Sequence, residues 1–224
     1  MTVLRLTTAV GVVAAVLFLS TASAVLQSLG SGASGAAGSA QQSFSGPPEQ
    51  PRRHDRVGNP AGLSPAEAEV IYAELRGSIL RGYARSGNTT AETFGSWTRY
   101  NTAPYRSATH GRRYVNNYAN AIAQPYGQGE AGVPLPPGAI VVKDSFTVTT
   151  AGDIAPGPLF VMEKMPPGFN YLTGDWRYAM VTADGELAGR TGGPGAERVE
   201  FCISCHLARE AQDHLYFVPP AYRP

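Results

Sequence analysis

Cysteine is almost absent from this chain, which holds only Cys202 and Cys205. A zinc site needs four ligands, so with no other cysteine zinc would have to recruit His214 and a carboxylate. Lysine is as scarce: Lys143 and Lys164 are the only two, and arginine supplies the rest of the basic charge. Charge of one sign is lacking as well. Eighteen basic residues against 17 acidic ones leave a net +1, which is no polyelectrolyte and argues against a nucleic-acid partner. A length of 224 residues at 43% hydrophobic composition accommodates one or two domains.

The N-terminus has the pattern of an export signal. Arg5 supplies a thin positive region, Val10 to Leu19 an apolar one, and Ala22-Ser23-Ala24 a small-residue cleavage site, so residues 1–24 read as a signal peptide. The apolar run from Ala9 to Leu26 is interrupted by Ser20, Thr21 and Ser23; if retained, it would serve as a membrane anchor instead. Export makes the mature protein periplasmic. Residues 25–63 are mostly Gly, Ala, Ser, Gln and Pro, with a charged knot at Arg52-Arg53-His54-Asp55-Arg56. Such a stretch has too few large apolar groups to offset its ordering entropy and is expected to be a disordered linker, with His54 a solvated histidine in it. That leaves residues 64–224 as the folded domain, enough to bury one core.

Both cysteines fall in Glu200-Phe201-Cys202-Ile203-Ser204-Cys205-His206, three residues apart and followed at once by histidine. This is the attachment pattern of a c-type haem. On a helical turn, residues three and four apart share a face, so Cys202, Cys205 and His206 can address one porphyrin. Two thioethers would make one haem c per chain permanent, and the His206 imidazole would supply the axial bond to iron. A thioredoxin-like dithiol or a plain disulfide is the competing reading, since neither needs the histidine. Thioether attachment to such a motif takes place outside the bacterial inner membrane, which agrees with export.

Along the rest of the domain, Ser64-Pro65-Ala66-Glu67 gives a capping serine, a proline for the first helical position and a glutamate three residues after the cap. Tyr72, Leu75, Ile79 and Tyr83 then recur at helical spacing, with Gly77 and Gly82 weakening the helix and Gly87-Asn88 ending it. A short second helix from Thr90 to about Arg99 would turn Phe94 and Trp97 inward. Val115, Tyr118 and Ile122 suggest a third, from about Arg112 to Ala123. After Pro136-Pro137-Gly138 the period becomes alternating. Ile140 to Val148, Leu159 to Lys164 and Asp175 to Thr182 read as strands, with turns at Ala151-Gly152-Asp153 and Ala183-Asp184-Gly185. Short turns make neighbours antiparallel. The fold class is therefore α+β: mainly an antiparallel meander, with N-terminal helices and a short C-terminal haem-attachment helix packed on it.

Several side chains could complete a haem site, each against a plainer role. Arg106, Arg112 and Arg113 could pair with propionates, though solvated arginine is commoner. Met162, Met165 and Met180 could be sixth ligands but more commonly fill core. His110, beside a glycine, is as easily a turn residue, and His214 lies too near His206 in sequence to reach the opposite haem face easily. Lys143 sits in an apolar strand, sharing a face with Val141 and Ser145. That face is either the one against the haem or the one in solvent.

With the haem motif near the C-terminus, preceded by Gly138-Ala139-Ile140-Val141-Val142-Lys143-Asp144, Pro158 to Met165 and Gly174-Asp175-Trp176-Arg177-Tyr178, the chain resembles the cytochrome P-460 family from roughly Leu63 to Arg223. The Tyr105 to Asn120 block and Asp213-His214-Leu215-Tyr216-Phe217 are similar in placement. The resemblance implies a homodimer of mainly β domains enclosing a five-coordinate c-haem, with histidine on one side and an open pocket on the other. It implies either oxidation of hydroxylamine or binding of nitric oxide or carbon monoxide without turnover, the latter in the related beta-type cytochromes c prime. In the enzymes of the family a lysine is bonded to the porphyrin edge, a place that Lys143 resembles, and a distal carboxylate moves protons, for which Glu163 is the nearest acidic candidate. The expectation is thus an exported mono-haem cytochrome acting on or sensing a small nitrogen compound and exchanging electrons with a redox partner protein. The alternative is a six-coordinate electron-transfer cytochrome.

Overall fold

The computed structural model describes residues 53–224. The expected signal peptide, the alternative anchor and residues 25–52 of the expected linker lie outside the described residues. Among those described, no helix is long and apolar enough to cross a membrane.

The first helix, α1 (Pro65–Ala84), begins as its sequence dictates. The Ser64 hydroxyl accepts from the Glu67 amide, and the Glu67 carboxylate accepts from the Ser64 amide at 2.8 Å, which closes a capping box. Tyr72, Ile79 and Tyr83 are buried along one stripe. Gly82, which sequence alone marks as a weak point, has a packing role: a Cβ there would lie 2.2 Å from the Ala183 carbonyl oxygen, so glycine lets the helix touch the hairpin turn that follows the sheet's seventh strand. The second helix is shorter than its pattern suggests. It comprises α2 (Thr89–Thr93) and a tight turn, Phe94–Ser96, with Phe94 buried and Trp97 partly so.

Eight strands follow: β1 (Thr98–Arg99), β2 (Tyr105–Arg106), β3 (Tyr114–Ala119), β4 (Ile140–Val148), β5 (Ile154–Pro156), β6 (Leu159–Lys164), β7 (Trp176–Val181) and β8 (Leu187–Arg190). They form one sheet in the order β1-β3-β4-β6-β7-β8, with β2 also on β3 and β5 also on β4, and every pairing is antiparallel. The α+β class and the antiparallel meander are as the pattern predicts.

The helix expected over Arg112 to Ala123 is not formed. Tyr114–Ala119 is a central strand buried at every position, and only Ala121–Gly132 coils, as tight turns with a kink at Gly129. The apolar spacing of Val115, Tyr118 and Ile122 misleads because asparagines occupy buried positions between them. Their amides are satisfied by tertiary partners: Asn116 donates to Asp144 at 3.0 Å and accepts from Asn101 at 2.9 Å, while Asn117 donates to the Tyr126 hydroxyl at 2.6 Å and accepts from Tyr105 at 2.9 Å. A buried amide so bonded costs little, and strand pairing wins.

The sheet is covered on both faces. On one, α1 packs on Tyr118, Val142, Phe146, Val161 and Val181. On the other, Val115, Val141, Tyr178, Phe201 and Leu215 form a second core with the C-terminal segment. That is why β4 is buried almost throughout instead of alternating between wet and dry.

Asp144 points into the α1 layer, where the Tyr72 hydroxyl donates to it at 2.6 Å. Burial raises its pKa from an ordinary 3.8 to about 6, against the opposing effect of the hydrogen bonds from Tyr72 and Asn116. A raised folded-state pKa gives stability that is complete below the unfolded value and lost as pH rises through the folded one. Relative to Asp144→Asn, the wild type should therefore lose on the order of 3 kcal/mol between pH 4 and pH 7. Urea unfolding of both proteins at the two pH values measures this, and parallel curves would contradict it.

The fold also takes in residues expected in the linker. The Val57 amide donates to the Gly111 carbonyl at 2.9 Å, the Ala61 amide to Val148 at 2.8 Å, and Pro60 bridges Thr149.

Candidate functional site

The haem motif occupies a helix of its own, α3 (Glu200–His206), so three-and-four spacing does place Cys202, Cys205 and His206 on a common wall. They line a cavity together with Val141, Lys143, Phe160, Met162 and Tyr178 of the sheet and Leu215 and Tyr216 of the tail. His54 and His110 line it too.

Strand register explains which side chains look into this space. Lys143 pairs with Asn117 on one side and Phe160 on the other, and Val141 pairs with Met162, which in turn pairs with Tyr178. Cross-strand partners share a face. Because α1 covers the face of Val142 and Phe146, the intervening Val141 and Lys143 turn to the cavity. The face of Lys143 that alternation alone leaves open is thus the inner one. Lys143 is buried, burial pulls its pKa down to about 8, and no hydrogen bond or ion pair engages its amine among the described residues. Its Nζ lies 5.9 Å from the centre of the Tyr216 ring.

Glu163 goes the other way. It is bound to Arg177 across the β6–β7 pair, on the face opposite Met162 and Lys164, and it does not line the cavity. Among the described residues, none of those lining the cavity is an aspartate or glutamate.

His206 is buried, and its Nδ1 lies 2.6 Å from the His214 carbonyl. Since a carbonyl can only accept, Nδ1 carries the proton and Nε2 keeps its lone pair. Burial, the largest influence, lowers the His206 pKa to about 3 despite that hydrogen bond, so the ring is neutral, as a metal ligand must be. The turn that offers this carbonyl is unusual. Asp213 and His214 both have positive φ, 53° and 60°, and Asp213 is tied down by Lys164 at 2.5 Å and by the Leu135 amide at 2.8 Å. Gly174 leaves room for the His214 ring, which a Cβ there would approach to 2.8 Å. His214 thus acts through its backbone, a role its side chain does not advertise.

The two thiols differ. Cys202 is buried and its pKa is pushed up to about 12 by burial and then by Cys205, whereas Cys205 is exposed; neither is in a disulfide. Its high pKa makes the buried Cys202 a poor attacking thiol for dithiol exchange. Zinc lacks partners as well: among the described residues no three His, Cys, Asp or Glu side chains gather as a metal site.

These residues do fit a haem. The donor set is two sulfurs and one neutral imidazole on one wall, facing an apolar sheet, and the Tyr178 hydroxyl is buried in that wall with no hydrogen-bond partner among the described residues. A cofactor with polar edges is the kind of group that would satisfy it.

One position needs correction. His54, expected in solvent, packs edge-on against Phe160 at 4.7 Å and Phe201 at 4.5 Å. No local pattern marks it, because the contact is with strands and a helix more than a hundred residues away. His110 is a turn residue, as the glycine beside it suggests, and it is at the same time buried in the cavity wall. Among the arginines, Arg106 and Arg112 are exposed, while Arg113 is half-buried and donates to the Asp55 carbonyl at 2.6 Å. Met162 lines the cavity, and Met180 faces an adjoining outer cleft.

No curated protein matches the chain closely enough to count as a relative. A family model described as cytochrome P460 does match, over residues 91–217, a span that holds the cavity-facing strands, α3 and the His214 turn. That match covers more than half of the chain, and on it the protein belongs to the cytochrome P460 family, whose members carry haem iron.

Proposed function

We propose that this protein is an exported mono-haem cytochrome in which Cys202 and Cys205 hold the haem by thioethers, His206 binds the iron, and the opposite side receives a small nitrogen compound, hydroxylamine or nitric oxide. The observation that carries this reading is His206 itself, held neutral with Nε2 free by the His214 carbonyl. Oriented imidazoles of this kind are the usual metal-ligand arrangement, with the outer partner setting the tautomer. When bound, a five-coordinate haem supplies an iron that can take a ligand and exchange electrons.

The chain's own residues do the rest. Val141, Phe160 and Leu215 exclude water, and Tyr216 covers Lys143 while its hydroxyl donates to the Cys205 carbonyl at 3.0 Å. Lys143 contributes an amine whose depressed pKa leaves a usable fraction unprotonated near neutral pH. Its buried position on the cavity side supports the reading that it is the lysine joined to the porphyrin edge, as in the hydroxylamine-oxidising members. Turnover would require a redox partner protein, and we place the molecule in the periplasm as a homodimer on the strength of its N-terminal sequence and its family.

Absorption spectra of the holoprotein, with mass analysis of its haem peptide, test both levels. A ferrous form that binds nitric oxide and carbon monoxide is the expected result. A ferrous form that stays low-spin and refuses both would favour the six-coordinate electron carrier. A haem peptide containing Cys202, Cys205 and Lys143, with a Soret band moved far to the red, marks the lysine bond and points to hydroxylamine oxidation. A peptide with the cysteine segment alone, and an ordinary c-type Soret band, would move the protein to the gas-binding relatives.

A further inference from the structure

Among the described residues the cavity has no acidic side chain, so a hydrogen bond that steadies a bound ligand must come from another kind of group. The polar candidates outside the haem motif are His54, Thr109, His110, Lys143, Tyr178 and Tyr216. Of these, His110 is the one whose ring has hydroxyl partners at one nitrogen and, among the described residues, none at the other.

His110 lies in the tight turn between β2 and β3. Its backbone amide donates to the Ser107 hydroxyl oxygen at 3.2 Å. Its ring Nδ1 lies 3.0 Å from that same oxygen and 3.1 Å from the Thr109 hydroxyl. Ser107 and Thr109 each have a hydroxyl proton to give and a lone pair to accept with, and their two oxygens lie 3.4 Å apart. In the tautomer whose Nδ1 accepts from one of these hydroxyls, the ring proton sits on Nε2. Nε2 has no hydrogen-bond partner among the described residues, although the ring is buried and forms part of the cavity wall. Burial holds the ring neutral, with its pKa well below the ordinary value. In that tautomer Ser107, Thr109 and His110 together present a neutral N–H donor beside the ligand space.

His54 stands against it. The ring centres are 5.1 Å apart and tilted by 33°, and His54 lines both the inner cavity and the outer cleft bounded by Arg53, Asp55, Arg113 and Arg198. It belongs to the segment ahead of residues 91–217 that the family model matches, so this wall is added to the family domain by the chain that precedes it.

We propose that His110, through Nε2–H, is the hydrogen-bond donor to a small ligand bound in this cavity, and that His54 closes the cavity over it towards the outer cleft. The assignment rests on the open ligand side argued above. A donor so placed stabilises a ligand atom that gains negative charge on binding, and one neutral hydrogen bond of this kind corresponds to roughly 3- to 10-fold in affinity.

Carbon monoxide bound to the ferrous full-length holoprotein reports on both residues. His110→Leu should raise the C–O stretching frequency, because a donor near the ligand oxygen is lost, and should weaken nitric oxide binding by that factor. His110→Gln, which keeps an N–H donor, should fall between Leu and wild type, an ordering that a merely structural loss would not give. His54→Ala should speed carbon monoxide association severalfold and leave the stretch near the wild-type value. A stretch unchanged in both His110 variants, with the haem still covalently attached, would overturn the donor role. A wild type that refuses carbon monoxide until His54 is replaced would make His54 an iron ligand and overturn its role as a wall. Refusal by the wild type and by His54→Ala alike would instead sink the open-site reading on which the inference stands.

Discussion

On the proposed ligation, His206→Ala should leave the haem attached through Cys202 and Cys205 while removing the axial bond to iron. Loss of an outer partner alone costs a metal site roughly 10–100-fold in affinity or activity, and loss of the ligand itself should exceed that. The ferrous spectrum should change throughout the Soret and visible bands, nitric oxide and carbon monoxide adducts should take on new spectra, and added imidazole should restore part of the original form by entering the vacated place. The structure makes this a clean experiment, because His206 touches the protein chiefly through one hydrogen bond to a backbone carbonyl and through the Tyr178 and Tyr216 rings at 5.2 and 5.1 Å. An unchanged spectrum in the variant would mean that the iron is bound elsewhere.

Lys164→Met should destabilise the protein by about 3–5 kcal/mol, the range found when one member of a buried ion pair is removed. Lys164 and Asp213 meet at 2.5 Å with side chains only 11% and 7% exposed, so Asp213 would be left charged with little water to compensate it. Lys164 also sits 5.0 Å from the centre of the Trp176 ring, a contact methionine partly keeps. The effect should reach the site, since Asp213 is one half of the turn that aims the His214 carbonyl at His206. The double variant Lys164→Met, Asp213→Asn removes both charges while keeping a side chain suited to positive φ, and it should recover much of the loss. Urea unfolding midpoints, read beside the ferrous spectrum, check both parts. Equal stability of Lys164→Met and wild type would show the pair to be solvated in solution.

How much of this was legible beforehand depends on how local each feature is. The start of α1 follows from Ser64, Pro65 and Glu67 because a capping box closes within four residues. The haem motif is legible for the same reason: two sulfurs and an imidazole on one helical turn need only helix geometry to converge. Ile140 to Lys164 reads as strands because alternation and turn residues act between near neighbours. The family resemblance rested on the same blocks of sequence, and the family match agrees with it.

What escaped was decided at long range. Residues 114–119 carry an apolar spacing that suits a helix, and only the offer of edges from β1, β2 and β4, with partners for Asn116 and Asn117, makes them a strand. Lys143 and Glu163 each lie on a strand whose two faces sequence cannot name; α1 claimed one face, which sent Lys143 to the cavity and Glu163 to Arg177. His54 sits in a stretch whose composition promises disorder, yet it fills a gap between Phe160 and Phe201 that exists only once the sheet and α3 have met. By itself the sequence marked Cys202, Cys205 and His206 as the candidate haem-attachment residues and determined that strands would dominate, since these follow from residue chemistry and near-neighbour geometry. Only the tertiary structure decided which side chains face that haem site, because a strand's two faces are equivalent until something packs on one of them.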